Sequence, residues 1–220
     1  MRVPRPRGSA VLEQVYDWLA RADPVGPGDL VFALAGRPSR KLFALSLFFR
    51  KLAPVLLLSV GRFEIRRFAQ LPWPVPLDLL AIAAPVPPPQ RLYFVGFEAG
   101  KSTVERVERG KFGTLSEIRA LARWLQQRPE IDSLLIVTSA THLRRVRMCC
   151  RAILPSQLAT RFVAVPEETP FLNRDNWWRN RRSRTMVLAE FPKLLLYRTI
   201  LSLPGGRPKV LTSDLNRWTT

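Results

Sequence analysis

The sequence predicts an α/β domain on a mostly parallel sheet, and three observations carry that expectation. Residues 134–137 form an unbroken apolar run, the signature of a parallel strand buried on both faces. Similar runs at 29–36 and 55–59 alternate with amphipathic helical patterns, as βαβ units require. The chain has 220 residues, 47% of them hydrophobic, which is enough for one domain with a full core and too apolar for disorder.

In chain order, Ser9 is placed to cap a helix over 11–21, with Leu12, Val15, Tyr16 and Leu19 on one face. The Pro- and Gly-rich segment 24–28 ends it. The strand at 29–36 closes on Gly36, and a helix over 39–52 follows, with Leu42, Leu45, Phe49 and Leu52 expected inward. The strand at 55–59 runs into Gly61, completing a right-handed unit. Residues 62–90 read as an insertion over the sheet, with a short strand at 79–84 closed by prolines. A third core strand is expected at 91–95. A long amphipathic helix follows from Thr114 or Ser116 to near Gln127, with Ile118, Leu121, Ala122 and Leu125 inward. After the 134–137 strand, a polar turn at 138–141 leads into a helix from Leu143. A last strand at 161–165, a basic loop at 166–184, a closing helix at 186–201 and a frayed end from Pro204 complete a single domain over 1–220.

Lys and Arg number 35 against 17 Asp and Glu, a net charge of +18. That bias implies an anionic partner, either a phosphorylated small molecule, an acidic membrane or nucleic acid, ahead of a merely solvated basic surface. No recognised nucleic-acid-binding motif accompanies the charge, which ranks that partner last. Cys149 and Cys150 are adjacent on a helix and point apart, so a disulfide between them is not expected and a reducing compartment fits. A single histidine and no spaced cysteines leave almost no zinc ligands. Charges and prolines interrupt both long apolar stretches, 42–60 and 68–90, so no spanning helix is expected. With no signal peptide visible, the expectation is a cytoplasmic protein.

The strand, polar turn and helix around 133–145 form the arrangement at which open α/β sheets bind ligands. His142, the one histidine, falls in that turn, after Ser139 and before Arg145. Gly36, Arg40, Ser59 and Gly61 also fall at or just after carboxyl ends of strands, so they can converge with Ser139 and His142. The segment from Gly96 to Gly100, Lys101 and Ser102 imitates a phosphate-binding loop but has three residues between its glycines where that loop needs four. Thr114 and Glu117 have capping-box spacing; alternatively Glu117 projects into the cleft as a base or hydrogen-bond acceptor. Trp177 and Trp178 either cover the core or stack on a ligand.

In order, Arg40, Ala44, Leu47 and Phe48, then Ser59 and Gly61, then Thr114 and Glu117, then Thr138, Ser139, His142 and Arg145 resemble the motifs of the YdcF/SanA/ElyC-like domain family over about 29–165. Residues 111–113 depart from the family's usual Ser-x-Asn. The resemblance implies a Rossmann-like three-layer α/β/α sandwich and a loose link to envelope or surface-polysaccharide biology. On this reading a sugar-phosphate or nucleotide-like ligand is held by Arg40 and Arg145, with Gly36, Ser59, Gly61 and Thr114 around it. His142 serves as general acid or base, Glu117 orients it or a substrate hydroxyl, and Ser139 completes the candidate catalytic group. Hydrolysis or group transfer is one expectation, a binding module without turnover the other; no cofactor is indicated. A further expectation is peripheral contact with acidic membrane through Arg174, Arg179, Arg181, Arg182 and Arg184 and the apolar run 194–197.

Overall fold

The computed structural model describes residues 9–108, 110–166 and 172–203. The basic stretch 1–8, the start of the 166–184 loop and the end from Pro204 lie outside these.

The protein is α/β. Six strands, β1 (Leu30–Ala33), β2 (Val55–Gly61), β3 (Leu92–Glu98), β4 (Lys101–Arg106), β5 (Ser133–Thr138) and β6 (Ala159–Ala164), form one sheet in the order β4-β3-β2-β1-β5-β6. Three of the five strand pairs are parallel, β1 with β2, β1 with β5 and β5 with β6. The other two, β2 with β3 and β3 with β4, are antiparallel. At the amino end Asp29 stitches β1 to β5: its Oδ2 accepts from Ser133 Oγ at 2.6 Å and from the amides of Ser133 and Asp132. The Ser133 hydroxyl is the main reason that carboxyl is held below the usual range.

Successive strand residues enter two separate apolar clusters, as the two-residue pleat requires. Leu30, Phe32 and Leu34 pack with α5 (Gly113–Gln126), α6 (Leu143–Ile153) and α8 (Glu190–Ser202). Val31 and Ala33 pack with α2 (Pro38–Phe49), α3 (Ile65–Phe68) and α4 (Leu79–Ala83). A third cluster joins α1 (Ser9–Leu19) to Trp177 and to Val187 of α7 (Arg181–Leu188). Among the described residues no helix is long and apolar enough to cross a membrane.

Several expectations are corrected. Ser9 is the first residue of α1 and is buried. Residues 79–83 are helical, because the Asp78 carboxylate accepts from the Ala81 amide and starts a turn that Pro85 ends. The strand expected at 91–95 is longer and antiparallel, and the imitation phosphate loop is a hairpin turn. Ala99 and Gly100, at φ 47° and 74°, supply the two left-handed residues that a two-residue hairpin needs. Lys101 therefore opens the exposed edge strand β4. In α2 the buried set is Arg40, Lys41, Ala44, Leu45 and Leu47, while Leu42 and Phe49 face outward. The helix turns this way because Arg40 and Lys41 find partners at the strand ends. The segment 166–184 is not all loop and the closing helix is two: Asn180 caps α7 by accepting from the amides of Arg182 and Ser183, and α8 follows. Trp177 is buried and donates from Nε1 to the Leu12 carbonyl at 3.0 Å, so it covers the core.

Candidate functional site

The parallel strands end side by side, and the order reverses between β1 and β5: β2 lies to one side of β1, and β5 and β6 to the other. Chains leaving a sheet at such a point diverge and open a crevice. The polar residues singled out from the sequence gather there, in two networks.

The first spans the ends of β1 and β2. Arg40 donates from Nε and Nη2 to Ser139 Oγ at 3.0 and 2.6 Å, and from Nη1 to the Ala35 carbonyl at 2.5 Å. The Ala35 amide donates to Glu117 Oε1 at 2.7 Å. Glu117 is therefore not a capping-box partner. Thr114 does not cap α5 either, since it lies inside the helix, whose preceding residue Phe112 offers no side-chain cap. Burial pushes the Glu117 carboxyl above its ordinary range, against the pull of the nearby Ser59 hydroxyl, the Ala35 amide, Lys41 and Arg40. Ser59 Oγ is fully buried and makes no well-formed hydrogen bond; it lies close enough to favour ionised Glu117 without being aligned on it.

Glu64 belongs to the same network and carries no expectation from the sequence. Its Oε2 accepts from Lys41 Nζ at 2.9 Å and from the Gly61 amide at 3.1 Å, and its Oε1 accepts from the Gly36 amide. Lys41 also donates to the Leu34 carbonyl at 3.0 Å. Burial lowers the Lys41 pKa, and Glu64 opposes that shift. The strand-end amides that usually receive an anionic ligand thus receive the protein's own carboxylate.

A cleft of about 360 Å³ opens beside this network. Ala35, Gly36, Gly61, Glu64 and Glu117 line it, with Gly113 from the start of α5 and Leu92 from the start of β3. Arg37, Arg62, Arg67 and Arg91 line it with Pro38 and Phe63, and Arg62 lies over the exposed Phe63 ring, 4.3 Å from its centroid.

The second network belongs to β5, α5 and α6. His142 Nδ1 is 2.9 Å from Thr138 Oγ1, and Nε2 is 3.2 Å from Thr114 Oγ1. Arg145 donates to Thr114 Oγ1 at 2.6 Å and, from Nε and Nη2, to the two oxygens of Glu190 at 2.9 and 3.3 Å. Lys193 adds a bond to Glu190 Oε1 at 2.9 Å. Burial first, and then the charges of Arg145, Arg40 and Lys193, keep the His142 pKa well below its ordinary value, so the ring is neutral. His142 and Arg145 are buried, and neither lines the cleft.

Comparison with protein-family models, curated proteins and solved structures returns no match. The geometry therefore stands by itself.

Of the nine residues singled out from the sequence, Gly36, Gly61 and Glu117 line the cleft. Arg40, Ser59 and Ser139 form its support, while Thr114, His142 and Arg145 belong to the neighbouring buried network. Glu64, Lys41 and Glu190 were missed, and Thr138 stood in the motif without a role. Two of these left a trace. Thr138 stands four residues before His142, and Glu190 is the one acidic residue between 186 and 203. Among the described residues no three His, Cys, Asp or Glu side chains come together as metal ligands. Cys149 and Cys150 are free and buried, and burial pushes the Cys149 thiol up to about 12.

Proposed function

We propose that the cleft at the ends of β1 and β2 binds a phosphorylated small molecule, a sugar-phosphate or nucleotide-like compound. The observation that carries this reading is a buried carboxyl, Glu117, in a cleft walled by Arg37, Arg62, Arg67 and Arg91. Arg62 and Arg67 are exposed and have no carboxylate partner among the described residues. Guanidinium groups grip phosphate through paired N–H donors, and a carboxyl of raised proton affinity suits a hydroxyl next to it. Because Glu64 already takes the amides of Gly36 and Gly61, the phosphate sits on the arginines.

On this reading Glu117 is the group that exchanges a proton with the ligand, and Arg40, bonded to Ser139 and to the Ala35 carbonyl, holds the loop whose Ala35 amide orients it. Hydrolysis or transfer of part of the ligand would begin at Glu117. Binding without turnover is the second reading, favoured by the occupation of both His142 nitrogens by threonine hydroxyls. The finer architecture belongs to the same proposal: a Rossmann-like three-layer sandwich akin to the YdcF/SanA/ElyC-like domain. The reversal of strand order at β1 and the helices of the two sheet clusters support it.

Calorimetric titration with sugar-phosphates and nucleotides, beside the parent sugars and nucleosides, tests the reading. Binding is expected for the phosphorylated compounds alone. Arg62→Ala and Arg67→Ala should each weaken it about tenfold or more, the worth of a charge-assisted hydrogen bond. Binding that ignores the phosphate, or that survives both substitutions, overturns it.

A further inference from the structure

A second concavity, of about 590 Å³, lies between α1, α6 and α8 and shares no lining residue with the cleft. Five arginines line it, Arg21, Arg144, Arg147, Arg151 and Arg198, and no acidic residue does. Arg147 is paired with Asp23 at 3.0 Å. Arg21, Arg151 and Arg198 have no carboxylate partner among the described residues. Arg144 donates to the Trp18 carbonyl and lies 3.5 Å from the centre of the Trp18 ring, which also stacks on Phe191. Burial, then the charges of Arg147, Arg151 and Arg21, weaken its hold on the proton, a sign of uncompensated positive charge.

Beside this basic groove the outer face of α8 is apolar. Its inward residues are Glu190, Tyr197 and Leu201. Leu195 is 68% exposed and Leu196 48%, with Phe191 and, at the end of α7, Leu188 also outward. Phe191, Leu195 and Arg198 follow at spacings of four and three, so one helical face carries both characters. Of the five arginines expected at a membrane contact, Arg179, Arg181, Arg182 and Arg184 are exposed, and Arg174 is ion-paired. That side chain is held by Glu13, Asp17 and Asp175 at 2.6, 2.8 and 3.5 Å.

We propose that this face, the arginine groove together with the outer side of α8, docks the protein on an anionic lipid bilayer. The charge is complementary to acidic headgroups, which fill the groove, while Leu195 and Leu196 enter the acyl boundary. Nucleic acid matches the arginines equally well. It offers nothing to the outward leucines, whereas a bilayer takes both, and that decides between them.

The test is flotation of the full chain with vesicles of phosphatidylcholine alone and of phosphatidylcholine with phosphatidylglycerol, at low and high salt. Recovery is expected with the anionic vesicles only and should fall as salt rises. Each arginine replaced by alanine at 144, 151 or 198 should lower partition about fivefold, and the charge reversals R144E, R151E and R198E together should abolish it. Leu195→Ser with Leu196→Ser, both at exposed positions, should weaken vesicle binding severalfold with an unchanged circular dichroism spectrum. Equal recovery with both lipids, or none with either, overturns the proposal. So does full vesicle binding by the leucine variant. A single-stranded RNA oligomer that binds the protein where the vesicles do not would assign the face to nucleic acid instead.

Discussion

The two polar networks at the carboxyl end of the sheet are built from similar residues and end in opposite states. On the β5 side Arg145 meets Glu190, both His142 nitrogens meet threonine hydroxyls, and the group is sealed under α8. On the β1–β2 side the charges are also paired, Lys41 with Glu64, yet Glu117 keeps a raised pKa and a cleft remains beside it. Arginine, histidine and serine at strand ends thus do not by themselves make an open site. What separates the two networks is whether a neighbouring helix brings the compensating charge. α8 brings it to Arg145; among the described residues no carboxylate pairs with Arg62 or Arg67.

The largest expected effect tests the sealed side. Glu190→Ala leaves Arg145 buried without its carboxylate and should lower stability by about 3–5 kcal/mol in chemical denaturation. Replacing the pair together, Arg145→Met with Glu190→Leu, should recover most of that loss. If Glu190→Ala costs under about 1 kcal/mol, the network is not structural and the contrast collapses.

His142→Leu comes next, at about 1–3 kcal/mol, because it takes the ring partner from the buried Thr138 hydroxyl and leaves Thr114 with Arg145 alone. It also carries a sign in pH. The native pKa lies below the 6.5 of the unfolded chain, so acidification lets the unfolded state bind a proton that the native state refuses. Stability from this group is present above about pH 6.5 and is lost as pH falls through the native value. Denaturation midpoints against pH should show this loss in the wild type and not in His142→Leu. The phosphate-ligand affinity of that variant should stay within a factor of about two, since His142 does not line the cleft.

Gly36→Ala probes the seam between the networks. The glycine has φ 144°, and a methyl there would lie 2.5 Å from Arg40 Nη1, displacing the side chain that holds Ser139 and Ala35. About 1–2 kcal/mol is expected, with a loss of ligand affinity that Arg40's own removal would reproduce.

The smallest effect on stability sharpens the comparison most. Glu117→Gln should change stability at neutral pH by under about 1 kcal/mol. Its pH dependence is opposite to that of His142. With the native pKa raised above 4.5, the contribution is full below about pH 4.5 and is lost as pH rises through the native value. The glutamine variant should lack that decline. A decline that persists would mean Glu117 is not the titrating group.

Much of this was legible in the sequence, for a physical reason. Strands buried on both faces are continuous apolar runs, so β1, β2 and β5 announce themselves. β4 does not, because an edge strand exposes most of its side chains; Lys101, Ser102, Thr103, Glu105 and Arg106 offer no apolar run. The five residues of α4 are too few for a helical period to show. Residue types at strand ends could be located, and they do gather. Which cation is already neutralised could not be read, because the Arg145–Glu190 and Lys41–Glu64 pairs are set by tertiary docking across 45 and 23 residues.

The antiparallel course of β3 has one more consequence. Gly61, where β2 ends, is the register partner of Leu92, where β3 begins. The intervening residues 62–91 therefore leave and rejoin the sheet at a single point on the cleft's edge. Between these anchors the segment packs back on the sheet, Phe68 on Trp73 at 3.7 Å and Trp73 on Phe97 of β3 at 5.6 Å, within the cluster that holds Val31 and Ala33. A segment fastened this way can change its outward side chains without moving any strand, so long as Glu64 and its apolar inner face are kept. Ligand choice and fold thereby fall to different faces of one segment: Arg62, Phe63, Arg67 and Arg91 line the cleft, whereas Glu64, Ile65, Phe68, Leu79 and Ala83 serve the frame. Exchanging the cleft-facing side chains between Gly61 and Leu92 would change what the protein recognises and keep what it is built on.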